Sequence, residues 1–233
     1  MGKAWDNPDV RVATWVALRT IGGLVLMGWG LFWAANTIAW PQAWWFLILF
    51  GAQMAAAFWY LWRVNPEIFP ARRRFGIGTG RWDYVFFALI VGSFIAVLHV
   101  AGFDHRLGWA PMPVWVAVLG NVVVAVGYGL IVWAQGVNRH FEPTVRIQSD
   151  RDHRVVATGP YALVRHPGYV GGSLVVIGMA LALGSLWALL PAAVLVATLV
   201  LRTVFEERVL VAELPGYADY TQRVRYRWVQ GVW

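Results

Sequence analysis

The sequence contains no cysteine and a single lysine, Lys3. Without cysteine the protein can form no disulfide, offers no thiolate to a metal and has no thiol nucleophile. Redox chemistry therefore gives no indication of the compartment. Enzyme classes built on a catalytic cysteine or on a zinc–cysteine site are excluded.

Charged residues are also scarce. They make up 13% of the 233 residues, whereas soluble domains carry about 25%. Hydrophobic residues reach 59%, and the 16 tryptophans and 8 tyrosines suit the aromatic belts of membrane–water interfaces. This composition predicts an integral membrane protein. The net charge of +7 could indicate nucleic-acid binding, but the arginines flank apolar segments, so we expect headgroup contacts and no nucleic-acid partner.

Long apolar runs define the predicted fold. A transmembrane helix needs roughly 20 mostly apolar residues. Four runs meet that length: 13–39, 43–62, 84–103 and 114–137. They predict four long membrane spans.

A fifth apolar stretch, 168–201, is too long for one straight span. Gly184-Ser185 and Pro191 lie where a helix would break. The stretch therefore predicts a hairpin of two short helices, about 168–183 and 186–204. The expected fold class is all-α: a polytopic membrane helix bundle with four long spans and a C-terminal short-helix hairpin.

The basic residues are divided unevenly between the two sides of this arrangement. If the segments alternate across the bilayer, 18 of the 19 Lys and Arg residues lie on one side and only Arg106 lies on the other. By the positive-inside rule the richer side is cytoplasmic. We therefore expect both termini in the cytoplasm. The membrane that we expect is the bacterial inner membrane.

Polar chemistry is concentrated in the last third of the chain. The loop 138–167 and the tail from Arg202 onward hold most of the histidines and acids. A hairpin returns the chain to the face from which it started, so the two segments meet there. The sequence therefore predicts a four-helix transmembrane region, 1–137, and a catalytic region, 138–233.

Two short motifs flank the hairpin. Pro167 restrains His166 to extended backbone, which would hold Arg165 and His166 at the membrane surface within reach of an anion. The alternative is a snorkelling arginine. Arg202 and Glu206 are four residues apart and share a helical face. They could bind charged groups of a ligand or form only a local ion pair.

The loop also carries side chains of the metal-binding type, which are His140, Glu142, Asp150, Asp152 and His153. Their spacing fits no standard metal motif. We therefore expect no metal.

The order of these motifs resembles the isoprenylcysteine carboxyl methyltransferase family over about residues 138–228. The matching blocks are His153, Gly159-Pro160-Tyr161, 164–171, 202–210, 215–224 and Arg227. Family members usually have a proline shortly after the arginine at the last position, and this chain has none.

The resemblance implies a membrane-embedded enzyme that transfers a methyl group from S-adenosylmethionine and has cytoplasmic cofactor-binding segments. The residues that it implies in the cofactor pocket are His153, Gly159, Pro160, Tyr161, His166, Tyr169 and Glu207. It implies catalytic roles for Arg165, Arg202 and Glu206, with the two arginines flanking the methyl acceptor. Either Glu206 or Glu207 would contact the cofactor.

The implied acceptor is a lipophilic molecule or a lipidated substrate in the membrane, and the resemblance favours a carboxylate. A carboxylate is already a nucleophile, so catalysis needs alignment and desolvation more than a general base. Three alternatives stay open: a phospholipid or amine N-methyltransferase of the same architecture, a sterol-type reductase that uses NADPH, and a non-enzymatic scaffold or transporter.

We predict that reporter fusions near residues 2, 76 and 150 and at the C-terminus report a cytoplasmic location, because nearly all arginines lie on that side. Fusions near residues 40 and 108 should report the opposite side. Paired alkaline phosphatase and fluorescent-protein fusions measure this. An external signal from the loop 138–167 would contradict the topology.

Overall fold

The computed structural model describes residues 8–71, 81–142, 147–148 and 151–233. Asp150 and the fusion sites near residues 2, 76 and 150 lie outside the described residues. Within the described ranges the protein is helical and contains no strand. The α-helices are α1 (Pro8–Ala35), α2 (Pro41–Val64), α3 (Ile68–Ala71), α4 (Arg81–Leu107), α5 (Val114–Val137), α6 (Pro167–Ala182), α7 (Leu189–Glu213) and α8 (Tyr217–Arg223), and a 3₁₀ turn covers Gly159–Ala162.

Helices α1, α2, α4, α5 and α7 are long and apolar enough to cross a membrane, by length and composition. This confirms the predicted all-α membrane bundle, and the first four of these helices are the predicted long spans. Helix α1 ends at Ala35 rather than at residue 39. It ends there because Asn36 takes a left-handed conformation with φ of 52°, which is a common way for a helix to terminate.

The predicted hairpin is right in its first helix and wrong in the length of its second. Helix α6 has 16 residues, and the chain turns at Gly184, where φ is +70°. Helix α7 has 25 residues and continues to Glu213 instead of ending near 204. Pro191 lies in the first turn of α7. Backbone N–H groups in that turn make no hydrogen bond within the helix, so a proline there costs none. The helix continues because Arg202 and Glu207 are buried in the protein rather than exposed at a membrane edge.

Helices α5 and α6 pack as a close antiparallel pair because glycines line both faces. A Cβ atom on Gly127 would lie 2.7 Å from the carbonyl oxygen of Gly171, and one on Gly178 would lie 2.8 Å from that of Gly120. Larger residues would force the backbones apart, whereas small residues allow close approach of membrane helices. This contact places the start of α6 beside the end of α5.

Polar contacts fix which helix ends lie together. At one end, Asn65, just after α2, donates to the carbonyl of Gln135 in α5 at 2.6 Å, and Asp83 of α4 pairs with Arg202 of α7. At the other end, the Ser185 hydroxyl in the α6–α7 turn donates to Asp104 of α4 at 2.6 Å. The helices therefore alternate in direction, as the topology requires. Which end is cytoplasmic stays a prediction.

We predict that Gly127→Ala lowers the stability of the protein by about 1–3 kcal/mol, because the added methyl group overpacks the α5–α6 contact. Gly129→Ala, on the same helix, is the matched control, since a Cβ atom there would meet nothing within 4 Å. Thermal unfolding in detergent measures both. Equal melting temperatures for the two variants would contradict the importance of the contact.

Candidate active site

A cavity of about 340 Å³ opens at the end of the bundle where α4 and α6 begin. Its volume falls within the range of about 300–1,000 Å³ that is typical of small-molecule sites. The residues that line the cavity belong to α4, the loop after α5, the 3₁₀ turn, the first residues of α6, and helices α7 and α8. The residues predicted from sequence that line it are His153, Tyr161, Arg165, His166, Tyr169, Arg202 and Glu206.

Gly159, Pro160 and Glu207 do not line the cavity. Gly159 has a φ of +58°, and a Cβ atom on it would lie 3.2 Å from side chains of α5. Pro160 is fully buried. These two residues shape the 3₁₀ turn that presents Tyr161, whose hydroxyl oxygen accepts a hydrogen bond from Asn138 Nδ2 at 3.1 Å.

Glu207 is only 6% exposed and is bonded by three side chains. Arg165 donates from Nε and Nη2 to the two carboxylate oxygens, at 2.5 and 3.1 Å. Arg227 Nε donates at 2.6 Å, and His166 Nε2 lies 3.2 Å from the carboxylate. A buried carboxylate requires such compensation. Glu207 therefore organises the site from behind its wall, and its role as a cofactor contact stays a prediction.

The C-terminal tail is fixed to the start of α6. The backbone N–H groups of Arg165 and His166 donate to the carbonyls of Tyr226 and Arg227 at 3.0 and 2.9 Å. Arg165 Nη1 donates to two further tail carbonyls at 2.8 and 2.7 Å. The tail lacks the proline usual in the resembled family, yet it is held in place because most of these contacts use its backbone.

A second group of polar contacts connects α4 with α7. The buried Arg202 guanidinium places Nη2 3.3 Å from Asp83 Oδ1 and donates from Nε to the Tyr169 hydroxyl at 2.9 Å. The Tyr169 hydroxyl in turn donates to Glu206. Sequence reasoning missed Asp83, because the only signal was one acid at the start of an apolar helix far from Arg202 in the chain.

The loop after α5 is organised by Gln148. The buried Gln148 amide donates to the His140 carbonyl at 2.8 Å, and its backbone nitrogen donates to His153 Nδ1 at 3.3 Å. The two imidazole rings lie 4.5 Å apart, centroid to centroid. Burial lowers the pKa of His140, so its ring is neutral at pH 7. All three residues line the cavity, and sequence reasoning had not assigned Gln148.

The acids of the metal-binding type that the structure describes each lie close to an arginine. Asp152 pairs with Arg154 at 2.6 Å, and Glu142 lies 3.6 Å from Arg151. In the part of the chain that the structure describes, no group of three or more His, Asp or Glu side chains could hold a metal ion.

Tyr217 is a candidate site residue that lies in the matching block 215–224 but to which sequence reasoning gave no role. It lines the cavity and is 5% exposed, and its buried hydroxyl has no hydrogen-bond partner among the described residues. Buried hydroxyls are normally paired. Burial raises the pKa of Tyr217 above its usual value, so the group is a neutral donor. An unpaired donor in a cavity wall indicates a ligand.

The neighbouring Tyr220 provides a contrast. Burial raises its pKa to about 12, so it too is neutral at pH 7. Its hydroxyl donates to the Tyr161 carbonyl at 2.7 Å and is therefore already satisfied by the protein.

The comparison with protein families gives one match. Residues 115–214 match the phospholipid methyltransferase family. This match supports a membrane methyltransferase. The match covers a little under half of the chain, and it supports the resemblance to isoprenylcysteine carboxyl methyltransferases only at this coarser level. No curated protein matches the chain significantly.

We predict that Glu207→Gln destabilises the protein by about 3–5 kcal/mol, because it leaves the buried Arg165 guanidinium without its carboxylate. The matched control is Glu213→Gln, at the exposed end of the same helix, where a change within about 0.5 kcal/mol is expected. Thermal or denaturant unfolding measures the difference. A similar small effect at both positions would contradict the organising role of Glu207.

Proposed function

We propose that this protein is an integral membrane methyltransferase that transfers a methyl group from S-adenosylmethionine to a lipophilic acceptor. The observation that carries the proposal is the single cavity around which the motifs before and after the α6–α7 hairpin converge. The family match over residues 115–214 supports the same chemistry. The division into an N-terminal transmembrane region and a catalytic region from residue 138 is part of the proposal, with Phe87 and Ile90 of α4 adding to the cavity wall.

The residues of the cavity suit the chemistry of S-adenosylmethionine. That cofactor supplies a methyl group activated by a sulfonium centre, and it carries an ammonium and a carboxylate group. Glu206 is a carboxylate in the wall that suits a cationic group. The unpaired Tyr217 hydroxyl is a donor that suits an anionic or carbonyl oxygen. Aromatic and imidazole rings, including Tyr161 and His153, complete the wall.

The acceptor reaches the cavity from the side. Phe87 lines the cavity and is 43% exposed. It belongs to α4, which is long and apolar enough to cross a membrane. An exposed aromatic residue of such a helix in the cavity wall favours an acceptor that lies in the bilayer.

A carboxylate acceptor is the first candidate, because Arg165 and Arg202 both line the cavity. The two cations would align an anionic nucleophile and exclude its hydration shell. Both guanidinium groups are already bonded to protein carboxylates, Arg165 to Glu207 and Arg202 to Asp83. A carboxylate acceptor would therefore share these arginines with the protein.

An amine acceptor is the second candidate, and the charge balance of the wall favours it. Among the described residues, Glu206 is hydrogen-bonded by Tyr169 and by no cation. An amine loses a proton as its nitrogen gains the methyl group, and the Glu206 carboxylate lies in the wall where it can accept that proton. The match to phospholipid methyltransferases favours this acceptor as well.

The proposal is tested with the purified protein in lipid nanodiscs and methyl-tritiated S-adenosylmethionine. One arm offers phosphatidylethanolamine, and the other offers N-acetyl-S-farnesylcysteine as a lipophilic carboxylate. Label in the extracted lipid supports N-methylation, and base-labile label in the farnesylated compound supports esterification. Stabilisation by NADPH, with no stabilisation by S-adenosylhomocysteine at saturation, would overturn the proposal in favour of a reductase.

We predict that Tyr217→Phe weakens the binding of S-adenosylhomocysteine by about 2- to 10-fold, the loss of one hydrogen bond. It should not lower the melting temperature, because the hydroxyl has no partner among the described residues. Tyr220→Phe is the matched control: it removes the bond to the Tyr161 carbonyl and should lower the melting temperature instead. Calorimetric titration and thermal unfolding measure both. Unchanged affinity in Tyr217→Phe would remove this residue from the site.

A further inference from the structure

Asp83 lies behind the wall of the cavity, in the first turn of α4. Asp83 is buried, with 6% of its surface exposed, and it does not line the cavity. It pairs with Arg202, whose Nη2 lies 3.3 Å away. Arg202 donates through Nε to Tyr169, and Tyr169 donates to Glu206. Through these contacts Asp83 reaches the cavity by way of Arg202, Tyr169 and Glu206.

We propose that Asp83 is a positioning residue of the site, which holds Arg202 in place and thereby leaves the Glu206 carboxylate available to the ligand. The inference rests on the proposed function, because it concerns the same cavity. It assigns a role in catalysis to α4, which lies outside the residues matched to the methyltransferase family.

The physical argument is a competition between two carboxylates for one cation. Arg202 and Glu206 are four residues apart on α7 and share a helical face. Arg202 is buried, and a buried cation requires an anionic partner. Glu206 already attracts Arg202 electrostatically, but the ion pair of Arg202 is made with Asp83, and among the described residues the hydrogen bond to Glu206 comes from the Tyr169 hydroxyl. Without the Asp83 charge, this attraction would draw Arg202 toward Glu206 on its own helix.

The geometry of the Arg202 guanidinium supports the same inference. Its Nε and Nη2 atoms are held by groups from two different helices, Tyr169 of α6 and Asp83 of α4. A planar group fixed at two points cannot rotate freely. Loss of the Asp83 charge weakens one of these two points and changes the position of the Arg202 guanidinium relative to the Tyr169 hydroxyl.

The test uses Asp83→Asn, which keeps the shape of the side chain and removes its charge. We expect kcat for methyl transfer from tritiated S-adenosylmethionine, measured with the acceptor that the wild type labels, to fall about 10- to 100-fold through misplacement of reacting groups. The dissociation constant of S-adenosylhomocysteine should rise as well, by about 10-fold, because the Glu206 carboxylate that suits its ammonium group is then paired with Arg202. Asp83→Glu keeps the charge and should retain more activity than Asp83→Asn. If Asp83→Asn does not fold, kcat of Asp83→Glu is compared with that of the wild type instead.

Asp104→Asn is the matched control. Asp104 is a carboxylate at the other end of the same helix, 3% exposed, and it accepts hydrogen bonds from the Ser185 hydroxyl and the Ala110 backbone at 2.6 and 3.0 Å. Its loss should lower the melting temperature and leave kcat per folded molecule unchanged. A merely structural role for Asp83 would give the same pattern.

A double-mutant cycle separates positioning from an independent effect. If Asp83 acts through Arg202, Asp83→Asn causes little further loss of kcat in an Arg202→Gln background. Additive losses in the cycle, or wild-type kcat in folded Asp83→Asn, would overturn this inference alone. Absence of methyl transfer by the wild-type protein to either acceptor would instead overturn the proposed function on which it rests.

Discussion

The buried carboxylate of Glu207 binds side chains from separate parts of the chain: Arg165 and His166 before α6, and Arg227 in the tail. Taking such charges out of water costs several kcal/mol for each ion unless they are paired. The segments that carry them can therefore be buried only together. Because the α5–α6 contact fixes where α6 begins, the Glu207 cluster brings the tail to that point and closes one side of the cavity.

Two adjacent acids on α7 have different surroundings for the same reason. Successive residues on a helix point about 100° apart, so Glu207 faces the tail cluster while Glu206 lines the cavity. Asp83 neutralises Arg202 as Glu207 neutralises Arg165. The cavity wall is thereby left mainly apolar with a few placed polar groups, which is the usual character of a small-molecule site.

Hydropathy predicted the long spans well, because length and polarity alone decide whether a segment can lie in a bilayer. The break at Gly184 was predicted from the glycine itself. It underestimated α7, since a charged residue at the end of an apolar run can mark either a membrane edge or a buried ion pair. Arg202 belongs to the second case. The distinction depends on a partner on another helix, and hydropathy carries no information about partners.

The sequence by itself determined the helical membrane bundle and the convergence of two polar segments, because both follow from local composition and from the return of a hairpin to its starting face. Tertiary structure alone decided which polar groups are satisfied within the protein and which face the cavity. Asp83 and Tyr217 illustrate this: the first is bonded to a helix distant in sequence, and the second has a buried hydroxyl with no partner among the described residues. Pairing of buried charges and hydroxyls is set by distances between segments far apart in the chain, which local patterns do not encode.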